Sequence, residues 1–234
     1  MKPPRSARTA PPGQTPSSKS AAAQKAVEKV AAHAAQEVRL IGGRWKRTPL
    51  VVPVVAGLRP TPNRVRETLF NWLGQDLSGW RVLDAFAGTG ALGFEAASRG
   101  AESVCLLERE PVLVKSLRAT QAKLAATQVQ IVQADALTWM GRIVDTVPGF
   151  DLVLLDPPFD AGLFEPALLA ACRCVPEGGW IYLEAPEAFS DATDPAGAVP
   201  GLRVHRQGRA GVVHYHLFQR VEGGLGVSRP AAGD

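Results

Sequence analysis

The sequence has no apolar run long enough to cross a membrane, and no apolar stretch follows its first basic residues. Its three cysteines, Cys105, Cys172 and Cys174, are odd in number and lack the spacing of zinc ligands. Neither a Ser-His-Asp arrangement, nor a Walker loop, nor a metal-binding cluster is apparent. We therefore expect a cytoplasmic protein without a membrane span or a metal, with reduced core thiols. A transit peptide is the alternative interpretation of the basic N-terminus.

Acidic residues are absent from residues 38–66, although the chain holds 22 Asp and Glu. The seven basic residues of this segment are Arg39, Arg44, Lys46, Arg47, Arg59, Arg64 and Arg66. Residues 67–234 hold thirteen basic and twenty acidic residues, so an acidic body carries a basic segment at one end. Together with Trp45 and the glycines Gly42 and Gly43, this charge predicts a nucleic-acid contact surface. A solvated cationic face is the alternative.

Residues 1–37 differ from the rest because they are rich in Pro, Ser, Thr and Ala and contain no aromatic residue. We expect a disordered basic tail there and a second tail at residues 221–234. Between them the pattern predicts a nucleic-acid-binding extension over 38–79 and an α/β domain over 80–220.

The stretch from Trp80 to Gly93, WRVLDAFAGTGALG, predicts a buried strand, a glycine turn and a helix. In an open α/β sheet such a turn lies at the carboxyl edge, where ligands bind. Its glycines also match the dinucleotide fingerprint G-x-G-x-x-G, a weak signal when alone. Asp84 argues against a pyrophosphate because a carboxylate repels phosphates but suits a cation such as the sulfonium and ammonium of S-adenosylmethionine. Asp84 could also simply cap the loop.

Two further acids follow predicted strands. Glu108 ends the strand Ser103–Leu107 and lies 24 residues after Asp84, near the spacing at which an acid meets a ribose diol. Asp135 follows the strand Val129–Gln133 and could accept a hydrogen bond from an adenine amino group, or merely cap the next helix. A surface Glu beside Arg109 is the alternative for Glu108.

A fourth apolar strand ends at Asp156, Pro157, Pro158 and Phe159. Two prolines stop the ladder and leave a corner rich in acceptors. Asp156 and the Pro157 carbonyl could accept both protons of a substrate amino group, while Phe159 offers a face on which a flipped-out base stacks. A rigid turn without chemistry is the alternative.

The basic segment itself predicts two short strands, Val38–Ile41 and Pro49–Val52, as a hairpin with a basic tip. Thr61 is predicted to cap a helix that has Pro62 in its first position. That helix would hold Arg64 and Arg66 in place; pairing of Arg66 with Glu67 on a solvated face is the alternative.

These motifs bring the chain close to a known family. Through VRLIGGRWKRTPL, GLRPTPNRVRETLFNWL, LDAFAGTGALGFEAASRGA and DPPF, it resembles from about Val38 to Arg220 the bacterial 16S ribosomal RNA guanine 2-amino methyltransferases of the RsmD type. These belong to the class I S-adenosylmethionine-dependent methyltransferases. The resemblance implies a Rossmann-like α/β fold whose seven-stranded, mostly parallel sheet has its last strand antiparallel, preceded by a small hairpin and helix.

The resemblance also implies roles for individual residues. The cofactor contacts would be Asp84, Phe86, Ala87, Gly88, Thr89, Gly90, Glu108, Arg109, Asp135 and Ala136. Methyl transfer would use Asp156, Pro157, Pro158 and Phe159. RNA contacts would come from Arg39, Arg44, Trp45, Lys46, Arg47, Arg59, Thr61, Arg64 and Arg66. The expected substrate is the 2-amino group of a guanine in 16S rRNA, in the small subunit or its assembly intermediate, and a monomer is expected. An amino-methyltransferase for another RNA or DNA base, a dinucleotide-dependent oxidoreductase and a non-catalytic RNA-binding factor remain as alternatives.

Overall fold

The computed structural model describes residues 38–53, 61–143, 149–159, 162–188 and 201–221. The helices and strands of these residues alternate along most of the chain. In order they are α1 (Asn63–Trp72), β1 (Arg81–Asp84), α2 (Ala91–Ser98), β2 (Ser103–Glu108), α3 (Pro111–Leu124), β3 (Val129–Gln133), α4 (Ala136–Met140), β4 (Leu152–Leu155), α5 (Phe164–Cys174), β5 (Trp180–Ala185), β6 (Leu202–Ala210) and β7 (Val213–Arg220).

The strands form one seven-stranded sheet in the order β3-β2-β1-β4-β5-β7-β6. Neighbours from β3 to β5 pair in parallel, whereas β7 is antiparallel to both β5 and β6. The expected fold class is therefore confirmed. Because β1 and β4 are neighbours although they are not consecutive, the strand order reverses between them. Ligand crevices form at such switch points.

Apolar side chains cover both faces of the sheet, as the unbroken apolar runs of the central strands predict. On one face α1, α2 and α3 pack over residues such as Val82, Leu106 and Leu154. On the other face α4 and α5 pack over Leu83, Val153 and their neighbours. None of the described helices is long and apolar enough to cross a membrane. The three cysteines are buried and form no disulfide.

The predicted hairpin of the basic segment is not a regular ladder. Arg39 and Pro49 form an isolated antiparallel bridge, and the N–H of Leu50 donates to the carbonyl of Val38 (2.8 Å). Residues 43–47 turn instead against α2, since the N–H of Arg44 donates to the Ser98 carbonyl (2.7 Å). The two arms still pair beyond the bridge, since Leu40 donates its N–H to the Thr48 carbonyl (3.0 Å) and Arg47 donates its N–H to the Leu40 carbonyl (2.7 Å).

The prediction that Thr61 caps α1 is wrong. Pro62 occupies the cap position and no side chain caps the helix. The hydroxyl of Thr61 is directed elsewhere, to Asp156 (3.3 Å), because the helix starts against the end of β4. The N-terminal tail, residues 222–234 and Arg59 lie outside the described residues.

Candidate active site

Four acidic residues lie at the carboxyl ends of four neighbouring strands, β2, β1, β4 and β5. They are Glu108, Asp84, Asp156 and Glu184. Asp84 pairs in register with Leu154, so Asp156 follows two residues beyond its neighbour on the adjacent strand. Parallel strands lie about 4.8 Å apart. Asp84 and Asp156 therefore lie at one edge of the sheet, where a switch point favours a ligand crevice, and the charge of Asp156 helps to raise the pKa of Asp84.

Asp84 is buried at the base of this crevice. One of its oxygens accepts the backbone N–H of Gly93 (2.9 Å), and its side chain is held under the glycine turn. Burial raises the pKa of this carboxyl to about 7; the Gly93 hydrogen bond opposes the rise, and the charges of Asp156 and Glu108 add to it. Within the described residues no Lys or Arg lies at ion-pair distance from Asp84. A cationic ligand would favour its ionised form.

Three glycines, Gly88, Gly90 and Gly93, allow the turn between β1 and α2 to adopt its conformation. Gly88 and Gly90 have positive φ values of 52° and 77°, a region in which side chains are strained. A Cβ on Gly93 would lie 2.1 Å from Leu106 Cδ2 and 3.0 Å from Asp84 Oδ2. The turn can thus fold tightly over Asp84 only with this glycine pattern. Phe86 and Gly88 are half-buried at the surface of the turn, whereas Ala87, Thr89 and Gly90 are buried.

Glu108 ties the end of β2 to the same turn. Its carboxylate accepts the N–H of Gly88 (2.9 Å) and the N–H of Glu110 (2.9 Å). Both bonds orient the carboxylate at the ligand edge while each oxygen keeps a further lone pair. Arg109 points outward and pairs with Glu110 at 3.3 Å on the exposed surface. Glu108 is therefore placed to accept from hydroxyl groups of a ligand.

Asp135 lies one strand further out, after β3. Its carboxylate caps α4 by accepting the N–H of Thr138 (2.9 Å), and this bond lowers the pKa of the carboxyl. The capping interpretation of Asp135 is thus present in the structure. The side chain of Asp135 is exposed, and the buried Ala136 follows it at the start of α4.

The residues after β4 form the other wall of the crevice. Pro157 is buried and Pro158 is exposed. The ring of Phe159 is half-buried and lies 6.1 Å from that of Phe164, tilted by 58°. Thr61 donates its hydroxyl to Asp156 Oδ2. The corner thus combines the carboxylate of Asp156, which is oriented by Thr61, with the aromatic ring of Phe159.

Two residues of β5, missed in the sequence, extend the acidic edge. The buried Tyr182 donates its hydroxyl to Glu184 Oε1 (3.0 Å). Burial raises the pKa of Tyr182 well above its ordinary value, and the charges of Glu184 and Asp156 add to the rise. The sequence feature that could have indicated these residues is Glu184, an acid near the end of the otherwise apolar strand Trp180–Ala185.

Arg66 is not an RNA contact. Its side chain is fully buried, donates to Asn63 and to the carbonyl of Arg39 (2.9 Å), and lies 3.5 Å from the carboxylate of Glu95. The sequence placed Arg66 on a solvated face or at RNA because its partner, Glu95, lies 29 residues away in α2. The guanidinium of Arg66 therefore links α1 to Glu95 of α2 and has a structural role.

Trp45 is also corrected. The side chain of Trp45 is buried, and the backbone N–H of Trp45 donates to Ser98 Oγ (2.9 Å). The glycines beside it approach the protein's own chain, since a Cβ on Gly43 would lie 1.7 Å from the Ser98 carbonyl. Both features thus anchor the segment to the end of α2 instead of meeting a nucleic acid.

The remaining basic residues divide into two groups. Arg44, Lys46 and Arg47 are exposed at the end of α2 that lies furthest from the glycine turn, about 12 Å away along the helix. Arg64 is exposed on the first turn of α1, beside Thr61 and so close to Asp156. Arg39 is half-buried between them, against Arg47. The catalytic edge and the basic turn are separate surfaces.

The family model described as "Conserved hypothetical protein 95" matches residues 38–219. The match includes the basic segment, the glycine turn, the DPPF corner and nearly all of β7. The chain belongs to this family.

Two relatives of the chain are named as ribosomal RNA methyltransferases. Ribosomal RNA small subunit methyltransferase D of Escherichia coli strain K12 is 37% identical over 190 residues, which are 79% of this chain and 90% of the relative. The protein of the same name from Haemophilus influenzae is 35% identical over 191 residues, 78% of this chain and 94% of the relative. The solved structure of the Escherichia coli protein yhhF is similar with a TM-score of 0.67 and 36% identity, covering 79% of this chain and 98% of that one.

Proposed function

We propose that this protein transfers a methyl group from S-adenosylmethionine to the 2-amino group of a guanine in 16S ribosomal RNA. The observation that carries the proposal is the placement of Asp84 and Asp156 on adjacent strand ends around one crevice. Family membership and the activity named for the relatives support the reaction class. The sequence motif that the chain shares with the RsmD type supports guanine as the base.

The crevice fits the cofactor on chemical grounds. The buried, raised-pKa carboxyl of Asp84 lies among acids and suits a ligand with an ammonium and a sulfonium. Glu108 suits the two hydroxyls of a ribose, and Asp135 with Ala136 suits the adenine edge. The bound cofactor would supply an electrophilic methyl group. Two phosphates would meet repulsion from the same acids, which disfavours a dinucleotide.

The target amino group would meet the corner at the end of β4. Asp156 and the Pro157 carbonyl accept its two N–H groups, so the nitrogen lone pair is oriented toward the cofactor side of the crevice. Asp156 can take the proton that nitrogen releases. Thr61 orients the carboxylate, and Phe159 stacks on the extruded base. Catalysis here consists of positioning and electrostatic stabilisation.

The RNA strand next to the target would meet Arg64 first, since α1 begins at the catalytic corner. Arg39, Arg44, Lys46 and Arg47 would bind phosphates further away, along the outer side of α2. Arg59, which lies outside the described residues, belongs to the same proposal on sequence grounds.

The test measures incorporation of labelled methyl groups into 16S rRNA, as naked RNA and as small subunits, from cells that lack this protein. We expect one N2-methylguanosine, mapped by mass spectrometry of nuclease fragments. The Asp156→Asn variant should lower kcat by about 10²- to 10³-fold while its affinity for S-adenosylmethionine changes less than about threefold. Labelling of an adenine or cytosine, or full activity of Asp156→Asn, would contradict the proposal. A thermal shift with NAD but none with S-adenosylmethionine would favour an oxidoreductase.

A further inference from the structure

The strands β6 and β7 carry positive charge on an otherwise acidic body. Residues 201–221 contain four arginines and three histidines and no Asp or Glu. The rest of the chain from 67 onward holds nine Lys and Arg against twenty Asp and Glu. Arg220 is half-buried and donates to the carbonyl of Val175. Arg203, Arg206 and Arg209 are exposed. We call these three residues and the strand that carries them the β6 basic edge.

The register of the sheet places Arg209, near the end of β6, on the row of the catalytic corner. Arg203 pairs with Gln219, which pairs with Trp180 at the start of β5, so Arg203 lies toward the amino edge of the sheet. Ala185 pairs with His214, and His214 pairs with Arg209. Because Leu155 pairs with Leu183, Pro157 falls on the same row of the sheet as Ala185. Three strand spacings of about 4.8 Å separate this row's two ends, so the backbones of Pro157 and Arg209 are about 14 Å apart. At a rise of about 3.4 Å per nucleotide that distance spans about four nucleotides.

The strand is fixed relative to the corner. Gly208 has no side chain, and a Cβ there would lie 2.5 Å from the ring of Tyr215. The Tyr215 ring packs in turn on Trp72 of α1, with 5.4 Å between ring centroids. α1 also carries Arg64, and Thr61 just before it bonds to Asp156. The backbones that carry Arg64 and Arg209 are therefore both fixed relative to the corner.

The guanidinium groups are braced but retain donors. Arg209 Nε donates to the carbonyl of Gly211 (2.8 Å), and one amino group of Arg203 donates to Gln219 (3.2 Å). A guanidinium has five N–H donors, so both side chains keep several for a phosphate. Bracing at one nitrogen lowers the entropy lost when the others bind.

A charged edge strand can also serve only to prevent pairing with another sheet. Charges of either sign would prevent such pairing. Charges of a single sign, concentrated next to an acidic crevice and without one acid among 21 residues, fit a polyanion better.

We propose that the β6 basic edge binds the phosphates of the rRNA strand that continues from the target nucleotide, opposite the side held by Arg64. This inference rests on the proposed function. It makes the substrate a strand that meets Arg209 at the carboxyl edge of the sheet and continues along β6 past Arg206 toward Arg203, with the target base between two arginine-bearing elements.

The experiment compares wild type with the triple variant Arg203→Ala, Arg206→Ala, Arg209→Ala. A control is Arg142→Ala with Arg173→Ala, which removes two exposed arginines outside β6. The triple variant should raise KM for rRNA at least tenfold, lower the slope of log K against log salt by about two, and leave kcat at saturating RNA and cofactor affinity unchanged. A triple Arg→Lys variant, which keeps the charges, should recover most of the affinity.

Three outcomes would overturn the inference while the proposed function stands: an unchanged KM and salt slope in the triple variant, an equal loss in the control, or a loss seen with whole subunits but not with naked 16S rRNA. The last outcome would assign the edge to a ribosomal protein. Failure of wild type to methylate rRNA would instead defeat the proposed function. Because all three arginines are exposed, equal melting temperatures should show that the variants fold.

Discussion

Two buried carboxylates eleven residues apart, Glu95 and Asp84, have opposite surroundings. Glu95 accepts the N–H groups of Ile41 (2.8 Å) and Gly42 (2.7 Å) and is flanked by the guanidiniums of Arg66 (3.5 Å) and Arg99 (2.9 Å). Asp84 accepts the N–H of Gly93 but faces the like charges of Asp156 and Glu108. An acid compensated by its own protein holds the fold together. An acid among acids is suited to a cation from outside.

Glu95→Ala tests most directly whether Glu95 is a structural acid, unlike Asp84. The substitution would leave the fully buried Arg66 without its carboxylate and release the segment that starts at residue 38. We expect the free energy of unfolding to fall by about 3–5 kcal/mol, measured by urea titration. Removal of the exposed Glu102 by Glu102→Ala should change it by less than about 0.5 kcal/mol. Equal effects of the two substitutions would show that Glu95 is not the structural acid.

Asp84→Asn should affect ligand binding and leave stability unchanged, which is the opposite of the result expected for Glu95→Ala. The amide oxygen can keep the Gly93 hydrogen bond, so stability should hold, whereas affinity for S-adenosylmethionine should fall by about 10²-fold, or about 2.7 kcal/mol, in calorimetry. A variant that binds within threefold of wild type would remove Asp84 from the cofactor site. Glu102→Gln is the matched control for loss of one negative charge.

The pH dependence of Asp84 follows from the direction of its pKa shift. In the folded protein its pKa is raised to about 7, so its stabilising contribution is present below the unfolded value of about 3.9 and is lost as pH rises through about 7. If Asp84 meets the cationic cofactor as proposed, binding would favour the ionised form of Asp84. Calorimetry in two buffers near pH 6.5 should therefore detect proton release on binding, and affinity should weaken below about pH 7. Asp84→Asn should abolish both effects.

Gly93→Ala tests the closeness of the turn to Asp84. The new methyl group would overlap Leu106 Cδ2 and press on Asp84 Oδ2. We expect a loss of about 1–3 kcal/mol in unfolding free energy together with weaker cofactor binding. Gly141→Ala, where the nearest atom is 3.2 Å away and φ is −65°, is the milder control. A stable Gly93→Ala variant with normal affinity would show that the turn can relax.

The smallest expected effect is that of Thr61→Val, which removes the hydroxyl bonded to Asp156. One such bond contributes about 0.5–1.5 kcal/mol, so kcat/KM should fall about two- to tenfold. Thr61→Ser keeps the hydroxyl and should retain most of the activity. If the serine and valine variants lose equally, packing and not the hydrogen bond explains the role of Thr61.

Local patterns predicted the sheet and the positions of its acids. The run ending at Asp84, the strand ending at Glu108 and the two prolines after Asp156 each indicate a strand end within a few residues of sequence. Because parallel strands place their carboxyl ends on one edge, these short patterns also predicted that the acids would converge.

Contacts between distant residues could not be predicted in this way. Thr61 bonds to a residue 95 positions away, and Glu95 accepts from Ile41, 54 positions earlier. One signal was present: Glu95 is the single charge in the helix ALGFEAAS, whose eight residues are all buried. A lone acid in such a helix demands a buried partner, but the sequence points first to Arg99, four residues later, and not to Arg66.

The hydroxyl that Thr61 directs at Asp156 has a consequence for how small a working enzyme could be. A truncation that begins at Trp80 would keep every strand of the sheet yet discard part of the reaction centre. It would also strip Glu95 of Arg66 and of the two N–H groups that it accepts. We therefore expect that a minimal catalyst starts no later than residue 38 and that a truncation at Trp80 loses both stability and methyl transfer.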